Sequence, residues 1–233
     1  MRLAGANSLC HNAAGPNGQR DERSTMSPGP AVFILVVIFV VGWFAAGTHY
    51  NVRKGHAVMR WLQDGLPLVG EKTTLRWLGS SVLELKIQQA KPPFRHAEVL
   101  VVLEPRDVAP LWGLARLRGR RDLFIFRGVL RTQPRVELEA LDTTSWPTHG
   151  LTDRAKNYWT PLSAPPPLVA YALGNLPAAS ELLGRAALDG CPLRRLTIRR
   201  TESNLEVQWR LDPLRKHSAR TVFETLLRIT ERL

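Results

Sequence analysis

Residues 31–47 read AVFILVVIFVVGWFAAG, and no charged side chain occurs anywhere from Ser24 to Val52. A hydrocarbon core of about 30 Å needs about 20 helical residues. The run, extended through Thr48, His49 and Tyr50, therefore predicts one membrane-spanning helix over residues 31–50. Val, Ile and Phe fill every face of it, with no polar stripe of the kind that orients a buried core helix. Trp43, Phe44 and Tyr50 fall toward one end, where amphipathic rings favour the membrane–water interface. A cleaved signal peptide is the competing reading. Ala45-Ala46-Gly47 offers small residues for cleavage, but Ser27-Pro28-Gly29-Pro30 places no positive side chain directly ahead of the run.

The flanks orient the span. Arg53, Lys54 and Arg60 follow it closely, whereas Arg20 and Arg23 are offset by Asp21 and Glu22 and stand behind a neutral spacer. The positive-inside rule then puts the carboxyl-terminal side in the cytoplasm. Residues 1–30 are expected to be a disordered tail, or a misassigned start upstream of Met26. Residues 51–70 carry Val52, Ala57, Val58, Trp61 and Leu62 at helical spacing. They predict a juxtamembrane amphipathic helix that prolongs the span or lies on the bilayer, with Trp43, Tyr50, Arg53, Lys54, Arg60 and Trp61 at the membrane interface.

Residues 71–233 predict one cytosolic α+β domain whose antiparallel or mixed sheet packs on helices. Thr73–Trp77, Val82–Gln88 and Ala97–Leu103 read as strands, the second alternating Glu84 and Lys86 with apolar residues. Asp107 is a candidate N-cap for a helix carrying Leu111, Trp112, Leu114 and Leu117. Asp122–Leu130 and Arg135–Leu141 are expected to pair as strands, with Glu137 and Glu139 on a solvated face. Residues 142–167 read as a long loop with a short helix near Asp153–Tyr158. A helix over 178–188, strands at 193–199 and 205–211 joined at Thr201–Asn204, and an amphipathic helix marked by Val222, Leu226, Ile229 and Leu233 complete the chain. Strand–strand–helix thus occurs at 82–118 and again at 193–232.

The 233 residues carry 32 Lys and Arg against 20 Asp and Glu, a net charge of +12 that calls for an acidic partner or an anionic surface. Three basic runs stand out: Arg116, Arg118, Arg120 and Arg121; Arg194, Arg195, Arg199 and Arg200; and Arg210, Arg215, Lys216 and Arg220. Guanidinium groups suit bidentate phosphate contact, so the first two runs are the candidate contacts for RNA or for lipid headgroups. A solvated, ion-paired surface accounts for the same runs. Part of the first also fits the negative end of a helix dipole.

Other chemistry lacks its usual marks. No phosphate-cradling glycine loop occurs, and Gly79-Ser80-Ser81 lacks the context of a nucleophile elbow. The six histidines are scattered and Cys10 and Cys191 stand alone, so no metal site, cofactor or disulfide framework is expected. No small-molecule substrate is expected either.

The order of features resembles the calumin-like family of single-span membrane proteins with a cytosolic α+β domain. The elements that carry the resemblance are the span, Arg53-Lys54, Trp61-Leu62, Leu66-Pro67-Leu68-Val69-Gly70, Trp77-Leu78-Gly79, Arg106-Asp107 and Leu114-Ala115-Arg116. The family's acidic stretch before the span and its long basic carboxyl-terminal helix have no counterpart in these residues. The resemblance implies a translocon-associated scaffold that assists membrane-protein insertion, with other membrane proteins of that machinery and ribosomal RNA as partners. The reading is thus a non-enzymatic, membrane-anchored interaction protein. The alternatives are a basic domain that binds anionic lipid and an enzyme with its site near residues 142–167.

Overall fold

The computed structural model describes residues 28–144, 153–201 and 203–233. Residues 1–27 of the expected tail, with the start at Met26, residues 145–152 of the expected loop and Glu202 lie outside the described residues, while residues 28–30 of that tail are helical. Packing separates two units, Met1–Ile38 and Phe39–Leu233. The described part of the first is the helical stretch from Pro28 to Ile38, whose side chains from Val32 onward are exposed. It belongs to α1 (Pro28–Leu62), one unbroken helix. Its apolar portion is long enough to cross a membrane. A short 3-10 turn at Leu66–Leu68 follows, with Pro67 inside its first turn.

The second unit is α+β and is built on an open sheet of nine strands. In chain order these are β1 (Thr73–Trp77), β2 (Val82–Ile87), β3 (Phe94–Val102), β4 (Leu123–Leu130), β5 (Glu137–Asp142), β6 (Thr160–Leu162), β7 (Leu168–Leu173), β8 (Leu193–Ile198) and β9 (Leu205–Arg210). They lie side by side as β1, β2, β3, β4, β9, β8, β5, β7, β6, and every pairing is antiparallel. The helices are α2 (Ala109–Leu117), α3 (Asp153–Tyr158), α4 (Leu176–Arg185), α5 (Leu211–Leu214) and α6 (Ala219–Thr230).

Strand alternation separates the two faces of the sheet. Phe124, Phe126, Val207 and Trp209 point to the helix-covered side. There Phe126 meets Phe223 of α6 at 6.4 Å between ring centroids, and Phe124 meets Trp61 of α1 at 6.4 Å. On the open side, Arg127 stands directly across from Glu98 and from Glu206 and pairs with both. Such cross-strand opposite charges are worth a few tenths of a kcal/mol to about 1 kcal/mol each. They hold the guanidinium above its usual pKa even though burial opposes this.

Four expectations need correction. β4 does not pair with β5: it lies between β3 and β9, while β5 lies between β8 and β7. All residues of β5 are buried, and Glu139 is an ion-paired core residue instead of a solvated one. The N-cap of α2 is Val108, not Asp107, whose carboxylate accepts a hydrogen bond from Ser80 Oγ at 2.6 Å. Two strands, β6 and β7, occupy sequence read as loop or left unassigned. β7 (LVAYAL) has no polar–apolar alternation, and a run that short carries little periodic signal.

Candidate functional site

The lower part of α1 is built into the domain through one face. Trp43, Gly47, Asn51, Lys54, Val58 and Leu62 recur at intervals of three or four, so they form one stripe along the helix. Val58 and Leu62 at its end join the main hydrophobic core. Above them the stripe turns polar and meets the β3–α2 connection and the start of β4.

Trp43 Nε1 donates to the Arg106 carbonyl at 2.9 Å. Asn51, fully buried, donates to the Glu104 carbonyl at 3.0 Å and accepts from Arg106 at 3.1 Å. Lys54 Nζ reaches Asp122 and Asp212, each at 2.6 Å. Arg106 grips Asp122 with both terminal nitrogens, at 3.1 and 3.0 Å, and its guanidinium lies 5.0 Å over the Tyr50 ring. Asp122 also accepts from the Glu104 backbone N–H at 2.6 Å. The buried Glu104 carboxylate in turn takes Trp112 Nε1 at 2.7 Å and Arg116 at 3.2 Å.

Asp122 is the hub. Burial alone pushes its carboxyl up, but the hydrogen bonds and charges of Arg106 and Lys54 outweigh that and hold it below the usual carboxylate value. Burial likewise pulls on the Arg106 guanidinium, and Asp122 with Glu104 more than compensates. Its geometry fixes the register of the lower part of α1 against the sheet. Sequence reading singled out Trp43 and Lys54 but not Asn51, Glu104, Arg106 and Asp122 as a unit. The available signal was the stripe itself, with Asn51 placed where an apolar residue would be expected.

Gly47 lets the connection approach. A Cβ there would lie 2.2 Å from the Arg106 carbonyl oxygen, whereas one at Gly42 would meet nothing within 4 Å. Gly47→Leu is therefore expected to destabilise the domain by about 1–3 kcal/mol through overpacking, and Gly42→Leu to leave it unchanged. Denaturant unfolding of the detergent-solubilised pair checks this.

The predicted contact residues divide. Trp61 packs against the domain: its Nε1 donates to the His217 carbonyl at 3.0 Å and its ring packs on Phe124. Lys54 is committed to its carboxylates, while Tyr50, Arg53 and Arg60 remain exposed on α1. Arg194 is also removed from the phosphate-contact set, since it is buried and paired with Asp142. Burial, with the like charges of Arg210 and Arg121 against the single carboxylate of Asp142, pulls its pKa down. Arg195 and Arg199 converge on Glu139 at 2.9 and 3.0 Å, and Arg200 donates to the Arg135 carbonyl. The second basic run is thus largely taken up inside the fold. In the first run, Arg116 braces Glu104 but stays half exposed, Arg118 is exposed, and Arg120 and Arg121 are partly buried at the end of α2.

Near residues 142–167 a cavity of about 410 Å³ is lined by Asp142, Ser163, the Pro165–Pro167 run, Ser180 and Cys191. Asp142 is bound to Arg194 and Thr144, and burial pushes the Cys191 thiol up to about 12. The thiol is therefore not a poised nucleophile at neutral pH. Among the described residues no three His, Cys, Asp or Glu side chains are grouped to hold a metal ion. No family model and no curated protein matches the chain.

Proposed function

We propose that the protein is a single-span, membrane-anchored interaction module, non-enzymatic, whose domain works on the cytoplasmic side beside the bilayer. The observation that carries this reading is the continuity of α1. The same helix is exposed and apolar at its start and locked by Asn51, Lys54, Arg106 and Asp122 at its end. Arg53, Lys54 and Arg60 after the apolar run support the cytoplasmic orientation.

The partner class follows from charge. With a surplus of +12 and the second basic run engaged internally, the end of α2 is the surface best suited to phosphate. The finer reading, a scaffold in membrane-protein biogenesis that touches ribosomal RNA, is supported by the order of elements and by the surplus of positive charge. The test is affinity recovery of the tagged full-length protein from native membranes at low and high salt, with identification of bound protein and RNA. Recovery of insertion machinery and ribosomal RNA, with the RNA lost at high salt, is the expected result. Recovery of neither would overturn the biogenesis reading.

A further inference from the structure

We propose that α2 lies in the membrane interface beside α1, with Leu111, Leu114 and Leu117 among the lipid acyl chains and the arginines that follow at the headgroups. The inference rests on the reading of α1 as a membrane span. It begins with a length. From Gly29 to Gly42 every residue but Ala31 is exposed, and at 1.5 Å per residue that stretch is only about 21 Å long. The hydrocarbon core needs about 30 Å. Continuing to Tyr50 supplies the missing length, because the charge-free helix is then about 33 Å long.

That same added segment is where the domain touches the helix. Trp43 donates to the Arg106 carbonyl, and its ring lies 5.9 Å from that of Trp112 in α2. Gly47 lies against the backbone of Arg106 and Asp107. A bilayer deep enough to cover α1 therefore reaches the level of α2. The sequence of α2 is suited to that place. Pro110, Leu114 and Leu117 fall at i, i+4 and i+7 with Leu111 beside them, and all four are exposed. Leu117 is 88% exposed, an extreme value for a leucine in a water-soluble face. The opposite side holds Ala115 in the interior and Trp112 on Glu104. Immediately after the apolar face come Arg118, Arg120 and Arg121. An apolar face edged by cations is the pattern of a helix lying in the plane of an anionic membrane. Leu78 extends the exposed apolar patch, because the β1–β2 turn is tied to the β3–α2 connection by the Ser80–Asp107 hydrogen bond.

The experiment uses the full chain carrying Cys10→Ser and Cys191→Ala, reconstituted in phosphatidylcholine–phosphatidylglycerol vesicles. An environment-sensitive NBD label is attached at one new cysteine at a time, and doxyl groups on the acyl chains serve as the quencher. The sites are Ile38→Cys on the span, Leu114→Cys and Leu117→Cys on α2, and Arg220→Cys on the far helix α6. The expected result is loss of most NBD intensity at the first three sites and none at Arg220→Cys. Quenching at Ile38→Cys without quenching at either leucine site overturns the inference and leaves the span intact. A blue-shifted but unquenched label at the leucine sites also overturns it, since protein then covers that face. An unquenched Ile38→Cys label overturns the span reading itself. Leu117 touches little else, so its replacement leaves the fold in place even if Leu114→Cys disturbs it.

Discussion

Replacing Asp122 by Ala is expected to destabilise the domain by about 3–5 kcal/mol, the range for removing one partner from a buried ion pair. The side chain is 1% exposed and satisfies Lys54, Arg106 and the Glu104 N–H together. Without it two cations face each other with only Glu104 and the exposed Asp212 nearby, and a buried backbone donor is left without an acceptor. Asp122→Asn keeps the shape and an acceptor for Glu104, so it is expected to lose less than Ala while still losing the charge. Denaturant unfolding of the three proteins in one detergent measures the difference.

The same carboxylate gives a pH dependence with a definite sign. Its folded pKa lies below the usual 3.8. The unfolded chain therefore takes up the proton first as pH falls. The stabilisation is complete well above pH 4 and is lost progressively as pH drops from there through the folded value. Acid unfolding of the wild type should then be steeper below about pH 4 than that of Asp122→Asn, since the unperturbed carboxyl ionises near 3.9 and linkage acts between the two pKa values.

The second large effect belongs to the sheet. Trp209 is wholly buried on β9, the strand that joins β1–β4 to the remaining strands. Its ring lies 6.1 Å from Phe124, and its Nε1 donates to the Ala186 carbonyl at 3.2 Å just beyond α4. Trp209→Ala is expected to cost about 3–5 kcal/mol from lost transfer energy and the cavity left behind. Trp209→Phe should cost less, with about 1 kcal/mol assignable to the lost hydrogen bond. If the two variants were equally destabilised, the hydrogen bond and not the packing would be holding α4 to the sheet.

Much of the fold was legible because its signals are local. The apolar run of α1, the alternation of β2, the hairpin of β8 and β9 and the three-four spacing of Val222, Leu226 and Ile229 each sit inside one segment. The partners of β4 and β5 were not legible. Asp122–Leu130 and Arg135–Leu141 are neighbours in sequence, yet β9 and β8 come between them in the sheet. That insertion is why Glu139 is buried with Arg195 and Arg199, although its alternation with Leu138 and Ala140 matches a wet strand. The charge network was hidden for the same reason. Lys54 finds Asp122 and Asp212 across long stretches of chain, so no spacing within a motif announces it. The arginine runs misled in part, because composition counts positive charges but not the carboxylates folded against them.

The most direct test of the central claim is the reaction of Arg220→Cys, in the full chain lacking its own cysteines, with a membrane-impermeant maleimide in sealed right-side-out membranes after an alkaline wash. Arg220 is well exposed on α6, so access depends on the membrane alone. The expected result is that the protein stays in the washed membrane pellet and reacts only after the membrane is permeabilised. Release by the alkaline wash, or full reaction in sealed membranes, would contradict a spanning anchor with the domain on the cytoplasmic side.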